Sequence, residues 1–327
     1  MKSNSRILYS ILIVYILCIF QLNAQSNTGI DATQISKLIA FADSTYADEI
    51  MIIHKDEVVT HWKSKRCEFQ YMGTASMSKS WTGLVIGIMI DRGLIRNEND
   101  LVCEYLPEWE NGCKNRVTIK HLLNMTAGFN RRGPNGILSA ADANHYAINA
   151  VLDTVPNIKF GYSNVSVQLL GIIIEKVTGK NNNEYFNEVL FEPLGMDSTW
   201  LEKDQSKKNY IVYGGATTTM EDASKIGLLM KNGGVANGKR IISESWINKS
   251  VTGSEHAAYY GYLWWIDTVT ENRNYAATGD LGHLTIIYPD IDLIFLRQQN
   301  CDPSKFRRLE YMGPQFIKLI ASVVNQE

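Results

Sequence analysis

The sequence has no basic run or stripe, no low-complexity segment and no internal repeat. Without a basic surface it lacks the electrostatic footprint of a nucleic-acid binder, and without a repeat it is not a solenoid or a propeller. Its six histidines are scattered, with no HExxH and no paired metal spacing, which makes a zinc hydrolase improbable. No cysteine has CxxC spacing, and no dinucleotide fingerprint occurs. Gly161-Tyr162-Ser163-Asn164-Val165 misses the Gly-x-Ser-x-Gly elbow because it ends in valine. Gly233 to Lys239 imitates a phosphate loop, but Arg240 stands where Ser or Thr is required. That stretch reads as a turn ahead of a short β-run.

Composition allows a folded, exported protein. The chain has 327 residues, 45% hydrophobic and 20% charged, with a formal net charge of −2. This is enough for one large core or two lobes. Residues 1–24 read as a signal peptide. Lys2 and Arg6 precede an apolar stretch from Ile7 to Phe20, and cleavage after Ala24 is plausible. The stretch is too short to span a bilayer, so any membrane attachment would run through this segment left uncleaved. Large residues before Cys18 disfavour lipidation. The expected location is periplasmic or extracellular. Four cysteines then remain. Cys103 and Cys113 are the best candidate pair, and Cys67 can meet Cys301 if their strands are neighbours. Free buried thiols are an equally good reading of all four.

The chemistry concentrates at Ser76-Met77-Ser78-Lys79. Residues i and i+3 share a helix face, so hydroxyl and amine can meet. A serine becomes nucleophilic when a neighbouring base takes its proton, and a desolvated lysine can be that base. A two-run β-hairpin (EIMIIHKDEVVTHW) precedes the pair, and an apolar helix (SWTGLVIGIMIDRGLI) follows. The helix is apolar almost all round, which indicates burial. A serine at its start faces outward-pointing N–H groups, a suitable place for an oxyanion. A simple Ser cap with a solvated lysine is the structural alternative.

Two further elements follow in order. Tyr162-Ser163-Asn164 precedes an apolar helix, and Ala277-Thr278-Gly279-Asp280 lies between β-runs. The series Ser-x-x-Lys, Tyr-x-Asn, x-Thr-Gly resembles the serine β-lactamase and penicillin-binding-protein superfamily from about Ile30 onward. The branch with class C enzymes, esterases, D-aminopeptidases and 6-aminohexanoate-dimer hydrolases is the nearest in pattern. The resemblance implies Ser76 as nucleophile, with Lys79 and Tyr162 moving protons. It places the oxyanion hole at the backbone N–H groups of Ser76 and Asp280. It assigns Asn164, Thr278 and Gly279 to substrate binding, with no metal and no organic cofactor. Taken singly, Tyr162 also fits a core tyrosine and Asn164 a helix cap. Ala277 departs from the pattern: the superfamily carries Lys or His there to hold a substrate carboxylate. His283 is a candidate polar replacement, and a structural histidine fits as well. Arg131 and Arg132 offer cations in a loop that also reads as merely solvated.

The expected fold is α+β and β-lactamase/transpeptidase-like. Strands from both ends form one antiparallel sheet flanked by helices, with a helical lobe beside it. The sheet lobe covers about 30–75 and 235–327, and the helical lobe about 76–234. Helices are expected at Gln34 to Tyr46 and Pro314 to Asn325. The expected function is an exported serine hydrolase that cleaves a small-molecule ester or amide through an acyl-enzyme. A β-lactamase or D-amino-acid peptidase is the rival enzyme, and a non-turnover β-lactam or peptidoglycan sensor is the rival binding module. No nucleic-acid partner is expected.

Overall fold

The computed structural model describes residues 29–110, 113–129, 136–302, 304 and 313–325. The signal segment and Arg131 and Arg132 lie outside them.

The first hairpin joins β1 (Glu49–His54) to β2 (Glu57–Lys63). Its two turn residues, Lys55 and Asp56, take φ of 50° and 65°. That left-handed pair matches the twist of the flanking strands. The remaining strands are β3 (Met72–Gly73), β4 (Trp200–Leu201), β5 (Ala216–Thr218), β6 (Val235–Ala236), β7 (Lys239–Arg240), β8 (Trp265–Ile266), β9 (Tyr275–Thr278), β10 (Leu284–Tyr288) and β11 (Leu293–Gln298). The main sheet runs β2-β1-β11-β10-β9-β8, antiparallel at every junction. The pairing of β1 with β11 brings the two ends of the chain together. The Gly233–Lys239 stretch holds β6 and the turn to β7, with Asn237 and Gly238 left-handed at the turn.

All six residues of β1 are buried, because helices cover both faces of the sheet. Ile50 and Ile52 join one core cluster, while Met51 and Ile53 join the other, as the period of two requires. Leu293 and Phe295 alternate with Ile294 and Leu296 in the same way on β11. Each such side chain contributes roughly 2 kcal/mol of burial. On one face lie the terminal helices Ala32–Ser44 and Pro314–Ala321, which stack Phe41 on Phe316 at 4.9 Å. On the other lie the helices from the middle of the chain.

Both terminal helices differ from expectation. The first begins at Ala32, because the Asp31 carboxylate accepts from the N–H groups of Thr33 and Gln34. The last stops at Ala321, after which Val324 bridges Ile30 and the Val323 carbonyl accepts from the Asp31 N–H. Pairing between the chain ends replaces the final helical turn.

Helix Ser78–Asp91 is buried from Ser78 to Met89. It crosses the core because Gly87 lets an indole lie against it: a Cβ there would stand 2.2 Å from Trp246 Cδ1. The same indole Nε1–H donates to the Gly83 carbonyl at 3.0 Å. Two disulfides form, Cys67–Cys301 and Cys103–Cys113. The first ties the approach to Ser76 to the chain just past β11.

Candidate active site

Ser76 lies in a 3-10 turn, Ala75–Met77, between β3 and the buried helix. The turn is pinned on both sides. Thr74 donates its N–H to the Ala216 carbonyl at 2.8 Å and its hydroxyl to the same oxygen at 3.0 Å. Ser78 Oγ donates back to the Ala75 carbonyl at 3.1 Å. Ala75 itself sits at φ 46°, an uncommon conformation for a residue with a side chain. The strained residue directly precedes the candidate nucleophile.

Lys79 follows on the first turn of the helix and is 1% exposed. Its Nζ lies 2.8 Å from Ser76 Oγ and also donates to the Tyr213 carbonyl. The Tyr162 and Tyr213 rings lie 5.1 and 5.8 Å from the amine, centroid to nitrogen. Burial, and next Asp204, pushes the Tyr213 phenol up to about 12, so it stays protonated at neutral pH. The sequence carries no motif that singles out Tyr213, since its main-chain oxygen makes the contact.

Tyr162 precedes helix Asn164–Thr178, whose N-cap is Ser163, with Oγ accepting from the Ser166 N–H at 3.3 Å. The phenol ring stacks on Trp265 at 5.8 Å and meets Tyr260 edge-on at 6.3 Å. Tyr260, Tyr262 and Trp264 are buried, whereas Tyr259 is exposed. This aromatic cluster packs Tyr162 into place. Just upstream, the Gly161 N–H donates to the Met125 carbonyl at 2.7 Å.

A cavity of about 980 Å³ opens over this group and is lined by Ser76, Tyr162, Asn164, Tyr213 and Asp280, among others. Ile137, Leu138 and Ile211 add apolar wall. Ser76, Tyr162, Asn164 and Asp280 are therefore brought together, with Lys79 directly behind Ser76. Thr278, Gly279 and His283 do not line the cavity. Gly279 serves the backbone instead, since a Cβ there would stand 2.3 Å from the Thr74 carbonyl. Glycine lets the end of β9 press against the Ser76 turn and present Asp280 beside it. Ala277 is fully buried on the same strand.

His283 is 1% exposed, and its Nδ1 has no hydrogen-bond partner. Burial, and next the Arg297 charge, pushes its pKa down to about 3. It supplies no polar group to the cavity, because it is buried away from the lining, just before β10. Arg297, also buried, donates to the carbonyls of Leu281 and Gly282 and to that of Thr45 at 2.8 Å. It ties the Asp280 turn to the N-terminal helix. It also donates to the Gln299 side-chain oxygen at 3.1 Å, but the main-chain oxygens that give it its tie come from distant segments, which no local motif marks. Among the described residues, two groups have metal-ligand spacing. Cys67 and Cys301 of one are disulfide-bonded, and in the other the His61 ring lies 2.5 Å from the Glu49 carboxylate and 3.8 Å from that of Glu221.

The chain belongs to the Beta-lactamase family, whose profile matches residues 48–312. It is similar to the 6-aminohexanoate-dimer hydrolase of Paenarthrobacter ureafaciens, 23% identical over 303 residues, covering 81% of this chain and 76% of that protein. Among solved structures it superposes on EstCE1, a hydrolase with promiscuous acyltransferase activity, with TM-score 0.73 and 16% identity, covering 90% and 98% of the two chains. It also superposes on a D-stereospecific amidohydrolase from Streptomyces, with TM-score 0.64 and 18% identity, covering 86% and 99%. The fold is of the β-lactamase/transpeptidase type, and the protein is a hydrolase of the β-lactamase family.

Proposed function

We propose that the protein is an exported serine hydrolase that cleaves a small ester or linear amide through an acyl-enzyme on Ser76. The observation that carries this reading is the 2.8 Å contact between Lys79 Nζ and Ser76 Oγ at the floor of an open cavity. A neutral lysine amine has two N–H groups and one lone pair. It keeps its bond to the Tyr213 carbonyl and turns the lone pair to the Ser76 hydroxyl. As Oγ attacks the substrate carbonyl, Lys79 takes the proton. Collapse of the tetrahedral intermediate breaks the bond to the alcohol or amine, which leaves with a proton relayed past Tyr162. Water then attacks the acyl-enzyme, and its proton returns to Ser76 by the same route. Main-chain N–H groups at Ser76 and Asp280 hold the oxyanion, a contribution often worth about 3 kcal/mol per donor.

Ala277 favours an ester or linear amide over a β-lactam. A buried methyl group cannot bind the carboxylate of a β-lactam or a peptide C-terminus. The similarity to a 6-aminohexanoate-dimer hydrolase supports a hydrolase of this kind. Two disulfides accord with an oxidising compartment and hence with export.

The test is turnover of p-nitrophenyl acetate and butyrate beside nitrocefin, with Ser76→Ala as control. Steady ester turnover that disappears in the variant, with nitrocefin barely cleaved, is the expected result. Rapid nitrocefin turnover would instead make the protein a β-lactamase. A single stoichiometric burst would make it a sensor.

A further inference from the structure

Lys79 is held by a main-chain oxygen of Tyr213, so whatever fixes that oxygen bears on the proposed base. Residues 212–214 form a turn, closed by the Gly215 N–H donating to the Ile211 carbonyl at 3.2 Å. Glu202 holds both ends of it through the main chain. The Ile211 N–H donates to the Glu202 carbonyl at 2.9 Å, and the Glu202 N–H to the Gly215 carbonyl at 2.7 Å. The middle is held by side chains. Val212, directly before Tyr213, is fully buried. Its N–H donates to Gln168 Oε1 at 3.3 Å, and its carbonyl accepts from Thr82 Oγ1 at 2.9 Å.

Both side chains are themselves fully buried, and they come from the two helices that frame the site. Thr82 lies three residues past Lys79 on helix Ser78–Asp91, and Gln168 lies four past Asn164 on helix Asn164–Thr178. Each therefore shares a helix face with a residue of the site. The Gln168 amide is fully used: Nε2 donates to the Tyr210 carbonyl at 2.9 Å and to Asn144 Oδ1 at 2.7 Å. A buried amide with every bond made has one orientation. Thr82 has a single proton, and the Val212 carbonyl is nearer to it than that of Ser78, at 3.2 Å in its own helix. Gly171 lets the second helix lie close, since a Cβ there would stand 2.7 Å from Val212 Cγ2.

The consequence is directional. The Val212 carbonyl belongs to the planar peptide unit that ends at the Tyr213 nitrogen, one unit before the oxygen on Lys79. An amine that keeps one N–H on that oxygen turns its lone pair to Ser76 only while the oxygen stays in place. We infer that Gln168 and Thr82 are positioning residues of the proposed hydrolase, gripping Val212 between two helices so that the Tyr213 carbonyl orients the Lys79 amine. The inference rests on the Ser76 acyl-enzyme reading.

The test compares Gln168→Met, Thr82→Val and Thr82→Ser with the parent and Ser76→Ala. It measures p-nitrophenyl butyrate turnover and the rate at which a fluorophosphonate labels Ser76, with thermal melts to confirm folding at the assay temperature. Gln168→Met and Thr82→Val should lower kcat and the labelling rate by about tenfold or more, with KM within about twofold. Thr82→Ser keeps the hydroxyl and should hold both rates within about threefold of the parent. A packing role alone predicts the opposite order, because valine keeps the volume of threonine and serine leaves a gap. If Gln168→Met does not fold, the two Thr82 variants decide the matter. Parental rates in Thr82→Val, a loss that falls on KM instead of kcat, or Thr82→Ser no better than Thr82→Val would each overturn the inference. Turnover that survives Ser76→Ala would instead overturn the acyl-enzyme reading, and this inference with it.

Discussion

The Ser76–Lys79 turn and the Asp280–His283 turn lie against each other, and each ends in a buried basic side chain. Only the first sets its base against a residue that opens onto the cavity. Lys79 sits on the first turn of a helix, where the i to i+3 relation aims it at Ser76. His283 stands just before β10, buried beside the Arg297 charge, and that surrounding keeps it neutral. Burial alone thus does not make a site. A buried base needs a partner that opens onto substrate, and the backbone element that carries the base decides whether it has one.

The largest effect should come from removing the useful base. Lys79→Ala is expected to lower kcat by about a thousandfold or more with little change in KM, measured by steady-state ester hydrolysis. Retained activity would place the base elsewhere. Next is the staple beneath the second turn. Arg297→Met leaves the buried carbonyls of Gly282 and Thr45, the part-buried one of Leu281 and the Gln299 side-chain oxygen without this donor, which should cost about 3 kcal/mol in urea unfolding. The same change loosens the Asp280 turn and so should lower kcat more than it raises KM. A variant as stable and active as the parent would remove Arg297 as a positioning residue.

His283 offers a finer test through pH. Its folded pKa of about 3 lies below the ordinary value of 6.5, so the unfolded chain binds the extra proton first. The stability linked to this residue is complete above about pH 6.5 and is lost as pH falls towards 3. Thermal melts of His283→Leu should therefore show a smaller loss between pH 6.5 and 4 than the parent. The smallest effect is on catalysis: the same variant should keep ester kcat/KM within about threefold at pH 7. A large loss of activity in a well-folded variant would mean that His283 reaches the substrate after all.

Legibility in the sequence followed the same division. Local signals were readable: the Ser-x-x-Lys spacing, the all-apolar helix behind it, and the hairpin with its polar turn at Lys55-Asp56-Glu57, of which Glu57 opens β2. The antiparallel sheet built from both chain ends followed from strands at the two termini with helices between. What escaped was long-range or main-chain. The Tyr213 carbonyl on Lys79, the Arg297 tie to Thr45 and the burial of His283 depend on segments that meet only in the fold. Gly279 was legible as a motif position, but its close approach to Thr74 was not.

The proposed chemistry stands or falls on a covalent bond to Ser76, which rapid acid quench during p-nitrophenyl butyrate turnover would trap. Intact mass and peptide mapping should show a butyryl adduct, on the peptide containing Ser76 and absent from Ser76→Ala. Turnover without any adduct when deacylation is slowed by low temperature, or an adduct on another residue, would contradict it.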